Sequence, residues 1–142
     1  MGPEEMAEEH PLAPHEVHEP PGRYKPVRHY TDLEVWCVAM DVADAVYEVS
    51  ASFPKDESFG LTSQVRRAAV SIPSNIAEGW GRGRTKEYVQ FLRYARGSLY
   101  EVETQLRIAA RRGYLPDARL DTILDQTTSI GRMLVGLIRA LR

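Results

Sequence analysis

An all-α fold, an antiparallel up-down-up-down four-helix bundle, is the architecture that this 142-residue chain predicts. Three observations lead to it. Apolar residues recur at intervals of three and four over four separate stretches, the spacing that stacks side chains along one face of a helix. Only short glycine- and proline-bearing connections divide those stretches, and helices joined that closely pack antiparallel to their neighbours. No stretch alternates apolar and polar residues with the period of two that a half-buried strand needs.

The first helix opens on Thr31, Asp32, Leu33 and Glu34, a capping box whose hydroxyl and carboxylate can satisfy end amides, and extends to about Ser52. Its apolar stripe is Leu33, Trp36, Met40, Ala43 and Tyr47, and Phe53 and Pro54 end it. The second helix spans about Glu57 to Glu78. Its stripe of Leu61, Val65, Ala68, Ala69, Ile72 and Ile76 keeps phase across Pro73, which predicts one Pro-kinked helix and not two. Pro73 lacks a donor and frees the Ala69 carbonyl, while Ser71, Ser74 and Asn75 supply polar side chains nearby. Gly79, Gly81 and Gly83 form the next break. Thr85 caps the third helix, whose Tyr88, Leu92, Ala95, Leu99, Val102, Leu106 and Ala109 step by four and three as a heptad seam. Gly113 stops it, Pro116 starts the fourth, and Leu120, Ile123, Thr127, Ile130, Leu134, Leu137 and Leu141 repeat the alternation.

With 43% hydrophobic and 27% charged residues, the chain can bury one core, so a single folded domain is expected over residues 31–142. No apolar run approaches the roughly 20 residues of a membrane span, and the acidic start MGPEEMAEEH is unlike a signal peptide, which predicts a cytoplasmic protein. Residues 1–30 contain Pro3, Pro11, Pro14, Pro20, Pro21 and Pro26 and six glutamates against three basic residues, the composition of a disordered tail. His10, His15 and His18 with Glu16 and Glu19 could be read as a metal clamp, but a tail offers no rigid scaffold for one, and no metal or cofactor is expected. The lone Cys37, within WCVAM, reads as a small buried or half-buried side chain.

Residue inventory then excludes most chemistry. No histidine follows His29 and Cys37 is the only cysteine, so the bundle lacks the ligands of a Glu-x-x-His di-iron centre, a haem or a Cys/His zinc site, and the base of a nucleophilic triad. The glycine-rich GWGRGR of residues 79–84 follows a helix and lacks the Lys-Ser/Thr ending of a phosphate loop. No catalytic residue is expected.

Charge is the remaining signal. The net of −2 conceals a separation: residues 32–57 carry seven acidic side chains and one lysine, while residues 66–112 carry ten basic and four acidic ones. Arg93, Arg96, Arg107 and Arg111 fall on one side of the third helix with Tyr100 among them, and Arg66, Arg67, Arg82, Arg84 and Lys86 can extend this surface. Arginines interleaved with an aromatic can hold phosphates and stack on an unpaired base. The same arginines could instead pair with the acidic first helix, within one bundle or between subunits.

The segment SIPSNIAEG of residues 71–79, with LEVWCVAMDVADAVY and FGLTSQVRRAAV upstream and ARGSLYEVETQL downstream, resembles the four-helix bundle proteins encoded in intervening sequences of bacterial large-subunit rRNA genes. The same superfamily includes the accessory variability determinant proteins of diversity-generating retroelements. The matching positions are Leu61, Gln64, Arg67, Ser71, Pro73, Asn75, Glu78 and Gly79, which look architectural. Gln64, Arg67, Ser71, Asn75 and Glu78 share a polar strip beside the apolar one, suited to a hydrogen-bonded helix contact. The resemblance implies a ring-shaped homopentamer whose basic surface meets RNA, DNA or a reverse transcriptase. The expected function is thus a non-enzymatic oligomeric scaffold that binds nucleic acid or a nucleic-acid enzyme; the alternative is a self-associating structural protein with no nucleic-acid ligand.

Overall fold

The computed structural model describes residues 26–142, and among them the chain is helical with no strand. Four helices follow in order: α1 Glu34–Ser50, α2 Leu61–Gly81, α3 Thr85–Arg111 and α4 Asp117–Leu141. Short 3-10 turns at Tyr30–Asp32 and Lys55–Glu57 precede α1 and α2. Each helix touches the helices before and after it, α4 closes back on α1, and the diagonal pairs do not meet, which is the square section of an up-down-up-down bundle. The expected tail of residues 1–30, with the His10, His15, His18, Glu16 and Glu19 cluster, lies outside the described residues except for its last five. Of those five, Val27 and Tyr30 pack against the core.

Three of the four apolar stripes enter the core as their spacing requires. Leu61, Val65, Ala68, Ala69, Ile72 and Ile76 of α2 are buried, as is the whole α3 seam from Tyr88 to Ala109. On α4 only Leu120 of its seam is merely half-buried, and the buried hydroxyl of Thr127 donates to the Leu124 carbonyl at 3.0 Å. Helix α2 runs without interruption through a buried Pro73. Asn75 sits one turn beyond Ser71, and its Nδ2 donates to the Ser71 carbonyl at 2.8 Å.

Helix α1 is rotated from its expected phase. Its core residues are Val35, Ala39, Val42, Val46 and Val49, whereas Met40 and Tyr47 are exposed and Trp36 and Ala43 half-buried. The two stripes differ by about 100°, one residue step. Apolar residues occupy so much of α1 that two arcs of equal period compete, and the bundle interior takes the compact valines while the bulkier side chains go to the rim. Cys37 shares this rotation: it is exposed, not buried, with Sγ donating to the Thr31 carbonyl at 3.4 Å.

Helix ends differ from expectation for local reasons. The Thr31–Glu34 capping box does not form, because Asp32 reaches back one turn earlier and its Oδ2 accepts from the amides of Arg28 (3.0 Å) and His29 (3.1 Å); Leu33 then holds the N-cap position of α1 with no side-chain cap. Helix α2 begins at Leu61, four residues later than expected, since Glu57 turns its carboxylate onto the helix end instead of joining it. Its Oε1 accepts from the Leu61 amide at 3.2 Å while Oε2 accepts from the Tyr114 hydroxyl at 2.9 Å, tying the α1–α2 connection to the α3–α4 connection. Arg84, not Thr85, occupies the α3 N-cap position, again with no side-chain cap. Helix α3 ends in a Schellman motif: Gly113 adopts φ 78°, its amide donates to Ala110 and that of Tyr114 donates to Ala109.

Of the glycines expected to break α2, only Gly83 acts as a turn residue, with φ 74°. Gly79 lies buried inside α2, where a β-carbon would come within 2.6 Å of Phe91 Cβ and 3.1 Å of Tyr88 Cδ1. It lets α2 and α3 approach closely beside their connection, where the Trp80 and Tyr88 rings meet edge to face at 6.3 Å.

Candidate nucleic-acid interface

The α3 seam fixes what its flanks can do. With Tyr88, Leu92, Ala95 and Leu99 facing inward, Arg93, Arg96 and Tyr100 fall on the flank beside α4, and Ser98, Glu101 and Gln105 on the opposite flank beside α2. The structure therefore keeps the α3 arginines on the α4 flank and sets Arg67 of α2 against the opposite one.

On the α4 side, Arg93 and Arg96 line a concavity together with Val135, Ile138, Arg139 and Arg142. It continues into a hollow of about 520 Å³ where Tyr100 and Glu103 face Thr128, Gly131, Arg132, Gly136 and Arg139. The other end opens toward Lys86, Glu87, Val89 and Leu141. This is one groove with a partly apolar floor and five arginines on its walls. Among the described residues none of the five has a carboxylate within 4 Å, since the two ion pairs found are Arg82–Glu78 and Arg119–Glu48, both at 3.3 Å. Guanidinium groups free of close ion pairs along one concave surface, outnumbering the Glu87 and Glu103 carboxylates that also line it, favour an anionic ligand there.

Arg132, Arg139 and Arg142 were missed in the sequence because α4 looks balanced as a whole. Its acidic residues Asp117, Asp121 and Asp125 occupy the first half, with Arg119 among them, while Arg132 and Arg139 stand in the second and Arg142 follows its last residue. The available signal was the seven-residue step from Arg132 to Arg139 beside the Leu134–Leu137–Leu141 seam.

The other expected contact residues are dispersed. Arg66 ties α2 to α1, with Nε donating to the buried Ser50 hydroxyl at 2.8 Å and its guanidinium 4.8 Å from the Tyr47 ring centre. Arg82 pairs with Glu78 and covers the Phe91 ring at 5.0 Å. Arg84 and Lys86 are exposed at the α2–α3 connection, and Lys86 reaches the groove mouth. Arg107 and Arg111 are exposed further along α3, where the antiparallel register sets them against the part of α4 that carries Asp121 and Asp125.

Arg67 lies on the α2 side. It lines a cleft with Gln64, Ser71, Ser98, Glu101 and Gln105, so part of the expected polar strip is a helix contact. The Ser71 and Ser98 hydroxyls are 2.7 Å apart, and Asn75 Nδ2 donates to Ser71 Oγ at 2.8 Å. Gln105 Oε1 is buried there without a hydrogen bond among the described residues. Ser98 and Gln105 were not singled out in the sequence, although their seven-residue spacing puts them on one face.

The slight burial of the largely exposed Cys37 thiol, and after it the carboxylates of Asp41, Asp32 and Glu34, push it above its ordinary pKa, which opposes a nucleophilic thiolate. No helix of the described residues is long and apolar enough to cross a membrane.

These features define a small four-helix bundle protein with a cationic groove between its last two helices. The model of the 23S rRNA-intervening sequence protein family matches residues 31–136, and the chain belongs to that family. Among solved structures, it is similar to a protein of unknown function from the S23 ribosomal protein family of Bacteroides thetaiotaomicron VPI-5482, with 21% identity, a TM-score of 0.66, and coverage of 73% of this chain and 97% of that one. That likeness concerns the fold. No curated protein matches the chain.

Proposed function

We propose that this protein is a non-enzymatic helical scaffold that binds nucleic acid through the arginines of its α3–α4 groove. The observation that carries the reading is the convergence of Arg93, Arg96, Arg132, Arg139 and Arg142 from two helices onto one concave surface with no carboxylate within 4 Å among the described residues. Surface arginines held for stability alone gain little and are ordinarily interspersed with acids, whereas phosphates reward a row of free guanidinium groups through counterion release. The family's description, which ties its members to intervening sequences of 23S rRNA, fits a role connected with nucleic acid.

Affinity for RNA or DNA should fall steeply with salt, by a slope near −0.7 to −0.9 per phosphate neutralised. Arg93→Glu combined with Arg139→Glu should abolish binding while light scattering gives an unchanged mass. Binding that survives the double change defeats the assignment.

Self-association is a second reading, supported by the exposed Met40, Tyr47, Phe59 and Val70 on the α1–α2 side, away from the groove. The homopentamer implied by the family resemblance would use that side and leave the groove to a nucleic acid or to a reverse transcriptase. Phe59→Ser with Tyr47→Ser should then lower the mass in solution and spare nucleic-acid binding by the groove.

A further inference from the structure

We infer that the α3–α4 groove takes a single strand, not a duplex, and that Tyr100 is the platform on which one unpaired base stacks. The inference rests on the phosphate-binding reading above and specifies its ligand.

Tyr100 is 51% exposed although it stands at the edge of a well-packed bundle. Opposite it, α4 lines the hollow with Thr128, Arg132, Val135 and Arg139, and Gly131 and Gly136 interrupt that wall; a β-carbon at Gly136 would meet nothing within 4 Å. The phenol ring thus borders a hollow, with about half of its surface open to it. Arg132 and Arg139 bracket this hollow seven residues apart, about 10 Å along α4. They can hold phosphates on either side of a base seated between them.

Geometry selects the strand state. Packed helix axes lie about 8–10 Å apart, whereas a duplex is broader than its own roughly 12 Å major groove, so its body rests on the rim of the cleft and cannot bring a base to Tyr100. Bases inside a duplex also hide their faces against one another, and only an unpaired base can use the Tyr100 ring. From Arg142 to Arg132 the cationic track runs about 15 Å along α4. Past Tyr100 its charge is offset: Glu103 lines the hollow, and Arg107, one heptad further along α3, is set against the stretch of α4 that carries Asp121 and Asp125. A track closed by carboxylates accommodates a few nucleotides and not a long filament.

The test uses fluorescence anisotropy with a labelled strand of about twelve nucleotides, as RNA and as DNA, and with the corresponding duplexes at one salt concentration. The single strands should bind at least tenfold more tightly than their duplexes, and RNA against DNA will show which sugar the groove prefers. Tyr100→Ala should weaken single-strand binding roughly tenfold with the salt slope unchanged, since stacking is lost and phosphate contacts remain. Tyr100→Phe should keep the wild-type affinity. Arg139→Glu should weaken binding and also flatten the slope. Equal affinity for strand and duplex, or a Tyr100→Ala protein that binds as wild type while Arg139→Glu fails, overturns the stacking inference and leaves the phosphate reading standing. If Arg139→Glu has no effect either, the phosphate reading falls with it.

Discussion

Replacing Gly79 with alanine sets two effects of known sign against each other. In a helix interior alanine is favoured over glycine by about 1 kcal/mol. Against this, the new β-carbon would lie 2.6 Å from Phe91 Cβ, 3.1 Å from Tyr88 Cδ1 and 3.4 Å from the Tyr88 carbonyl oxygen. Carbon atoms pack best at about 3.5–4.0 Å, so an overlap near 1 Å falls on a β-carbon that cannot swing aside, and α2 and α3 must separate. Overpacking of this kind costs about 1–3 kcal/mol, and the severity of the clash places it toward the upper end. The net loss is then about 1–2 kcal/mol, or a Tm lower by roughly 4–8 °C for a domain of this size. Gly97→Ala supplies the control, for Gly97 lies exposed inside α3 with nothing within 4 Å of its added β-carbon. It should stabilise by about 0.5–1 kcal/mol. Thermal and urea unfolding followed by far-UV circular dichroism, at one protein concentration so that any association is held constant, measure both. A Gly79→Ala protein as stable as wild type would refute the claim that this glycine serves close packing.

Two further outcomes follow from buried contacts. Burial pushes the Tyr88 phenol well above its ordinary pKa of 10.0, so the folded protein keeps a proton that the unfolded chain gives up, and stability should be intact below pH 10 and fall as pH rises beyond it. Tyr88→Phe should lessen that alkaline fall in plots of Tm against pH; an unchanged slope would deny the phenol its part. Glu57→Ala removes the acceptor for both the Leu61 amide and the Tyr114 hydroxyl, and should cost about 1–2 kcal/mol in urea unfolding. In a double-mutant cycle with Tyr114→Phe the two losses should add to less than their sum, because they share one hydrogen bond.

Seams were legible where polar residues leave only one possible apolar arc. On α3, arginines, glutamates and glutamines surround the Tyr88-to-Ala109 seam, so spacing and phase are both determined. Helix α1 has few polar residues, and periodicity alone could not choose between Trp36, Met40 and Tyr47 on one arc and Val35, Val42 and Val46 on the other. The candidate groove was half legible. Arg93, Arg96 and Tyr100 stood out as a stripe on one helix, but their opposite wall belongs to α4, whose Arg132, Arg139 and Arg142 become neighbours only through antiparallel packing.

Helix number, order and polarity are local properties, written in the period of three and four and in short connections that leave adjacent helices no other course, so the amino acids alone specify the bundle. Which of two apolar arcs turns inward, whether a glycine ends a helix or admits a neighbour, and which arginines stand without a counter-charge all depend on distances between segments far apart in the chain. Gly79 resembles a stop signal until Phe91 lies against it, and Arg67 resembles a groove residue until α2 turns it to the other flank of α3. Packing at near-crystalline density decides such questions, because at contact distance a single β-carbon or a single helix rotation changes which arrangement is lowest in free energy.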